Sequence, residues 1–319
     1  MRIEDIYDAQ NVISKVARKT PLIKTTLADN CNLYIKPENM QVTGSFKIRG
    51  AYNKMSKLTP EEKAKGVIAC SAGNHAQGVA LAARDMGIKA VICMPASAPL
   101  VKVNSTKALG AEVVLVDGAY DDAYEKALQL QEEYHYTFVH PFNDEDVIAG
   151  QGTIALEILK ELPETDIIIS AVGGGGLISG LAFTAKTLKP SIKVYGVQSA
   201  GAPSMYASVA NGYVTKINRV KTFADGIAVK EVGNKTFEFT EKYVDDIVTV
   251  KDDDIVDAIK KIMNKEKLIA EGAGGAPVAA VLKGIIPGLN KDSNVVCVVS
   301  GGNIDIDFLS KIVTQGLDD

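Results

Sequence analysis

The sequence is short of what most metal and nucleophile sites are built from. It has three histidines, His75, His135 and His140, and four cysteines, Cys31, Cys70, Cys93 and Cys297, with no Cys-x-x-Cys and no Cys/His cluster. That excludes a zinc site of ordinary spacing and leaves a Ser-His-Asp triad few candidates. Cys93 and Cys297 fall in apolar runs, as free buried thiols do in a reducing compartment. Excess charge is missing too. Thirty-five Lys and Arg face 39 Asp and Glu, a net charge of −4, so there is no electrostatic footprint for nucleic acid and no polybasic membrane patch. No apolar stretch reaches the ~18–20 residues of a membrane span. The N-terminal Met1-Arg2-Ile3-Glu4-Asp5 lacks the basic and apolar regions of a signal peptide, so a cytoplasmic protein is expected. Repeats, low-complexity segments and a long Pro/Ser linker are absent. So are two nucleotide fingerprints: no Gly-x-x-x-x-Gly-Lys-Ser/Thr occurs, and Ile178 stands three after Gly175, where Gly-x-Gly-x-x-Gly needs its last glycine.

What is present is an ordinary globular composition, 46% apolar and 23% charged, over 319 residues, a length that fits about two domains. Continuous Val/Ile runs alternate with helical spacing: 66–70, 90–94, 112–116, 167–172, 193–197 and 294–299 read as strands, with helices over 75–86 and 120–134. That pattern predicts an α/β fold of parallel sheets covered on both faces, with ligands at the carboxyl ends of strands. Three polar, glycine-bearing segments lie at such ends: Ser71-Ala72-Gly73-Asn74-His75, Gly173-Gly174-Gly175-Gly176 and Ser300-Gly301-Gly302-Asn303. One shared cleft between two interleaved domains is expected. The four-glycine run carries the chemistry. A loop without side chains that opens a helix turns several backbone N–H groups on one point, where free amides and the helix dipole favour a phosphate. A glycine pair would suffice for a tight connection, and four lose considerable chain entropy on ordering.

Upstream, Thr43-Gly44-Ser45 reads as a turn and helix cap with Lys47 in the first helical turn. A cation near a positive helix end is disfavoured, so its pKa is expected to fall toward the neutral, nucleophilic amine. Spacing alone does not overturn the ordinary reading, a solvated helix lysine.

Here the motifs converge on a family. Ser45-Phe46-Lys47-Ile48-Arg49-Gly50-Ala51 resembles the pyridoxal-phosphate attachment segment of the serine/threonine dehydratases, and 71–78 resembles their substrate loop. Gly173 to Gly176 is similar to their phosphate loop, and Ser300-Gly301-Gly302-Asn303 to their pyridine-nitrogen motif. The resemblance covers essentially the whole chain, in order, and looks closest to the catabolic threonine dehydratases, which lack a C-terminal regulatory domain. It implies a fold-type II enzyme with a large domain of residues 1–50 plus 145–319 and a small one of 51–144, assembled as a homodimer or homotetramer. It implies pyridoxal 5'-phosphate on Lys47, which also serves as the base for the α-proton. Phe46, Asn74, Gly173, Gly174, Gly175, Gly176, Leu177, Gly226, Glu271 and Ser300 would contact the cofactor. Ser71, Ala72, Gly73, Asn74 and His75 would hold the substrate carboxylate, largely through backbone N–H groups. A serine at the ring nitrogen leaves that nitrogen largely neutral, which favours prompt loss of the 3-hydroxyl as water. The cofactor phosphate would be the acid for that hydroxyl. Threonine would give 2-oxobutanoate and ammonia; serine would give pyruvate.

Departures separate relatives. The family's racemases usually carry a second serine where this chain has Ala72, which argues against racemisation. Their divalent-metal positions correspond to Gln198, Ala202 and Ser204, which leaves at most a monovalent cation bound by neutral oxygens. An AMP or CMP effector would touch Thr43, Gln77 and Asn303, although Val42 replaces a usual basic residue. Alternatives are a serine racemase or 3-hydroxyaspartate dehydratase, and, outside enzymes, a nucleotide-binding regulatory protein.

Overall fold

The computed structural model describes residues 1–317. Ten strands occur among the described residues: β1 (Ile23–Thr25), β2 (Asn32–Pro37), β3 (Val67–Cys70), β4 (Ala90–Pro95), β5 (Glu112–Val116), β6 (Thr137–Phe138), β7 (Ile167–Ala171), β8 (Lys193–Ser199), β9 (Asp246–Val250) and β10 (Asn294–Val299). They form a six-stranded sheet ordered β1-β2-β10-β7-β8-β9 and a four-stranded sheet ordered β5-β4-β3-β6. Every pairing is parallel except β1 with β2. The α/β expectation of mostly parallel sheets covered by helices therefore holds.

Burial on both faces explains the unbroken Val/Ile runs. In β10, Val295, Cys297 and Val299 face one core, packed with helices Asp252–Glu266 and Gly272–Leu282. Val296 and Val298 face the opposite core, with helices Glu145–Glu161 and Gly176–Leu188. In β3, Val67 and Ala69 divide from Ile68 and Cys70 in the same way. The period of two along a strand allows both faces to be apolar only when both are covered.

Four strands escaped the sequence reading. β1, β6 and β9 are short or at sheet edges, and β2 contains a lysine and ends in a proline. Yet β2 lies inside the sheet, and its Lys36 is fully buried. All four cysteines are free and buried. Among the described residues no helix is long and apolar enough to cross a membrane.

Two connections position the site. Strand β10 runs beside β2, with Val299 opposite Pro37, so the segment after β10 meets the segment after β2. There Ser45 bridges Gly301, Gly302 N–H donates to Gly44 O at 2.9 Å, and Phe46 N–H donates to Ser300 O at 3.1 Å. The helix Lys47–Ser56 then presses on Glu145–Glu161 so closely that a Cβ at Gly150 would lie 2.5 Å from Arg49 O. Only glycine permits that approach.

Candidate active site

The carboxyl ends of β3, β7 and β10 open on one cavity of about 1020 Å³. Phe46, Lys47, the 71–75 segment, Gly173 to Leu177, Gly226, Glu271, Ser300 and Asn303 all line it. Of the residues expected at the site, Thr43, Gln77, Gln198, Ala202 and Ser204 lie elsewhere.

Lys47 is the first residue of its helix. Its Nζ donates to Pro141 O at 2.9 Å and lies 5.3 Å from the centre of the Phe46 ring. Its pKa falls to about 8, and the leading cause is burial, with the Glu271 charge pulling it partly back. The fall was expected, but from the helix end; desolvation of the ammonium accounts for it instead. The expected cap is also different. Val42–Gly44 is a short 3-10 turn, the helix follows Phe46 with no side-chain cap, and Ser45 is extended with its hydroxyl buried and unpartnered. The bridge to Gly301 holds Ser45 away from the helix start.

Two helix starts face the cavity without caps. Helix Asn74–Met86 begins after Gly73, which has no side-chain cap. Gly73 N–H turns back to Ser71 Oγ at 3.2 Å, and a Cβ on Gly73 would meet nothing within 4 Å. Helix Gly176–Leu188 begins after Gly175, again uncapped, with φ 97° and ψ −6° at Gly175. The carbonyls of this loop are drawn away. Gly174 O accepts from Thr236 Oγ1 at 2.6 Å, and Val172 O from Gln198 Nε2 at 3.1 Å. First-turn N–H groups have no partner within a helix, so each start suits an anion.

Asn74 is held from both sides: its Nδ2 donates to Glu271 Oε1 at 2.7 Å, and its Oδ1 accepts from Asn303 Nδ2 at 2.7 Å. Burial, then the charge of Asp225, pushes the Glu271 carboxyl up to about 7. His75 is 3% exposed, with Nε2 at 2.8 Å from Val139 O, and burial drives its pKa down to about 3. Its ring is therefore neutral and committed to Val139, which leaves the cleft only its backbone. The Ser300 hydroxyl has no hydrogen-bond partner among the described residues.

Sequence reasoning passed over the segment 140–143. His140 Nδ1 accepts from Phe142 N–H at 3.2 Å and Asn143 N–H at 2.8 Å, which places the ring proton on Nε2. Burial, then Lys47, lowers its pKa to about 4. Pro141 supplies the carbonyl under Lys47, and the Phe142 ring fills the space where a Cβ on Gly174 would go. The strand before this segment, β6, has two residues, too few for a periodic signal. The strand-end rule could still have found it.

Thr43 and Gln77 line a second cavity of about 450 Å³ together with Arg18 and Arg84. Asn303 belongs to the main cleft, but its Nδ2 reaches Thr43 O at 2.7 Å, so the three expected effector contacts straddle two cavities. Thr43 holds a left-handed φ of 67°. The cation candidates sit behind the glycine loop. Gln198 Oε1 accepts from Tyr206 N–H, while its Nε2 faces Val172 O and Ser204 Oγ. No cluster of three His, Cys, Asp or Glu suited to a metal occurs among the described residues.

A desolvated lysine sharing one cavity with a side-chain-free helix start defines an enzyme class. Residues 13–301 match the family described as pyridoxal-phosphate dependent enzyme, and the chain belongs to that family. It is 49% identical to an L-threonine ammonia-lyase of Thermotoga maritima, over 99% of this chain and 79% of that protein. It is 45% identical to a catabolic L-threonine dehydratase of Staphylococcus aureus, over 98% and 92% respectively. A maize serine racemase structure superposes with a TM-score of 0.93 at 36% identity, covering 97% of this chain and 95% of that one. The fold is thus common to lyases and racemases, and the higher identity lies with the lyases.

The residues present fit the cofactor: an amine that loses its proton near neutrality for the aldehyde, an uncapped helix start for the phosphate, and an unpartnered hydroxyl for the ring. One pH dependence follows. With Lys47 as the amine for the aldehyde, only its neutral form would attack, so attachment of pyridoxal phosphate to the apoprotein should accelerate with pH and level off above about 8. The Glu271 charge holds the Lys47 pKa up, so Glu271→Gln should move that plateau to lower pH. Stopped-flow absorbance across a pH series reads both.

Proposed function

We propose that this lyase is an L-threonine ammonia-lyase that also acts on L-serine. The observation that carries the reading is the pair of uncapped helix starts, at Asn74 and Gly176, sharing one cavity with the Lys47 amine. One start suits a substrate carboxylate, the other the cofactor phosphate, and the lysine serves the carbon between two charged groups. The 49% identity to a threonine ammonia-lyase supports the same conclusion.

Bound pyridoxal phosphate supplies an electron sink for the substrate α-carbon. The chain does the rest. Lys47 Nζ holds the cofactor and then takes the α-proton, which an amine with a pKa of about 8 can accept and release near neutrality. The segment Ser71 to His75 orients the carboxylate, largely through backbone N–H groups. Gly173 to Gly176 and Leu177 fix the phosphate. Phe46 and Gly226 would form a wall beside the cofactor, and the Asn74 amide, steadied by Glu271 and Asn303, would donate to its ring oxygen. Ser300 would offer only a hydroxyl to the ring nitrogen, where a carboxylate would hold that nitrogen protonated, so the nitrogen would stay largely neutral and early loss of the β-hydroxyl would be favoured. The substrate loses water, and the resulting enamine takes up water as it releases ammonia, giving 2-oxobutanoate from threonine.

In the same proposal the chain divides into a large domain, 1–50 with 145–319, and a small one, 51–144. The four-stranded sheet falling within 67–138 supports that division. We assign the second cavity to an AMP or CMP effector. Arg18 and Arg84 supply the cations missing at Val42, and Thr43 Oγ1 is buried without a partner there. The protein is proposed to work in the cytoplasm as a homodimer or homotetramer.

Purified protein with pyridoxal phosphate and L-threonine should yield 2-oxobutanoate, and L-serine should yield pyruvate in excess of D-serine by chiral chromatography. The same assay with AMP or CMP should show a lower KM. More D-serine than pyruvate would replace the lyase reading with a racemase. 3-Hydroxyaspartate as the faster substrate would reassign the specificity. Nucleotide binding with no 2-oxo acid from any of the three would make it a binding protein.

A further inference from the structure

Behind Lys47 lies a cluster of charged side chains that the reaction does not use. Lys36, Glu38 and Arg49 are fully buried, and Glu157 is 6% exposed. Arg49 is the hub. Its Nε and Nη2 donate to the two Glu38 oxygens, both at 2.8 Å. Its Nη1 and Nη2 donate to the two Glu157 oxygens at 2.7 and 3.0 Å, and Nη1 also reaches Thr153 Oγ1 at 3.1 Å. All five guanidinium N–H groups are thereby used. Lys36 Nζ closes the cluster on Glu157 and Thr20 O, both at 2.6 Å, and Thr20 Oγ1 donates to Glu38 at 2.7 Å. Two cations meet two anions, and the Arg49 pKa is raised by its carboxylates.

Fold stability does not account for such a cluster. Buried ion pairs give back in attraction about what they lose in desolvation, and packed apolar side chains often serve as well. What a doubly bidentate guanidinium adds is direction, since a planar fork held on both edges fixes rotation as well as distance. The direction matters here because of helix geometry. Residues two apart project about 200° from each other around a helix. Lys47 opens its helix toward the cleft, so Arg49 projects behind it. The Arg49 backbone is wedged as well, with its carbonyl against Gly150 on the helix that also carries Thr153 and Glu157. Glu38 and Lys36 belong to β2 and the turn after it. The hub therefore ties the first turn of the Lys47 helix to a strand and to a neighbouring helix at once.

We propose that Arg49 is a positioning residue for Lys47. It fixes the turn so that the amine stays at the Pro141 carbonyl, in a desolvated setting, whether or not it is bonded to the cofactor. This rests on Lys47 being the reactive amine, but the test reads the amine itself. Arg49→Lys keeps the buried positive charge and loses the fork. In apoprotein, pH-dependent acylation of Lys47, read by peptide mass spectrometry, should show an inflection near 8 for the wild type. In Arg49→Lys it should rise by about one unit as the amine gains solvent. Cofactor reattachment and kcat should each fall by about tenfold or more, with KM for threonine within about twofold, because small misplacements of a reacting group are expensive in rate. Ile262→Val, at a buried side chain that does not line the cleft, controls for general destabilisation. Should Arg49→Lys fail to fold, Glu157→Gln, which removes one charge and keeps an acceptor, should shift the inflection in the same direction by less. A lowered melting temperature with the Lys47 inflection and reattachment rate unchanged in the variants would reduce the hub to a structural role and overturn the proposal. A wild-type Lys47 that titrates near 8 yet takes up no cofactor would instead overturn the assignment of Lys47.

Discussion

Lys47→Ala should abolish turnover, by roughly 10⁴-fold, because the proposed function gives one atom two tasks. Loss of a positioned proton acceptor alone removes about 10²–10⁴ in rate, and the same change removes the covalent hold on the cofactor. Three neighbouring titratable groups are poor substitutes. His75 and His140, the titratable bases nearest the lysine, are held neutral at about 3 and 4, and His75 is already bonded to Val139. Glu271, at about 7, is engaged with Asn74. The check has two parts. Borohydride reduction of wild-type holoenzyme should leave the cofactor mass on the Lys47 peptide, and the variant should carry none. A 2-oxo acid assay should find activity at or below about one part in 10⁴. Residual activity of a few per cent would mean that another group takes the α-proton. Because the glycine loop is untouched, the variant should still bind pyridoxal phosphate reversibly.

Gly175→Ala should weaken the cofactor itself. At φ 97° an L-residue is strained, by roughly 1–2 kcal/mol. The new Cβ would also lie 2.7 Å from Met205 Cε and from Thr236 Cβ. Overpacking of that kind costs about 1–3 kcal/mol. Thr236 cannot retreat freely, because its hydroxyl holds Gly174 O at 2.6 Å and Gly233 O at 3.0 Å. The loop is then expected to move instead, and its N–H groups lose their common focus. A penalty of about 2.7 kcal/mol corresponds to about a hundredfold weaker binding. Titration of apoprotein with pyridoxal phosphate, followed by absorbance, should show that loss, with threonine KM less affected once cofactor saturates. An unchanged affinity would mean that the phosphate is held elsewhere.

Much of the architecture could be read from the chain because its signals are local. Val295 to Val299 announce a strand covered on both sides, and the loops at 71–75, 173–176 and 300–303 announce themselves by glycine at strand ends. What escaped depends on partners far away in sequence. Lys36 and Glu38 look like surface residues until Arg49 and Glu157 arrive from other elements. Ser45 looks like a helix cap, but Gly301 draws it into an extended bridge. His140 to Asn143 follow a two-residue strand with no pattern to read. The fall in the Lys47 pKa was anticipated with the wrong cause, because a sequence shows the start of a helix but not the depth of a cavity.

The strand that carries Ser300 has a consequence for how the protein comes into being. β10 is the last strand of the described chain, yet it lies between β2 and β7, near the middle of the larger sheet. At about 5–20 residues synthesised per second, β2 leaves the ribosome many seconds before its partner. Until then its inner edge has unpaired N–H and C=O groups open to wrong strands. The turn that presents Lys47 is also unfinished, since Phe46 N–H has its acceptor only on Ser300. Cofactor capture should therefore wait until Ser300 has emerged and β10 has paired with β2. Cofactor supply would then govern how much folded protein survives, because a ligand that binds only the folded form holds it folded by mass action.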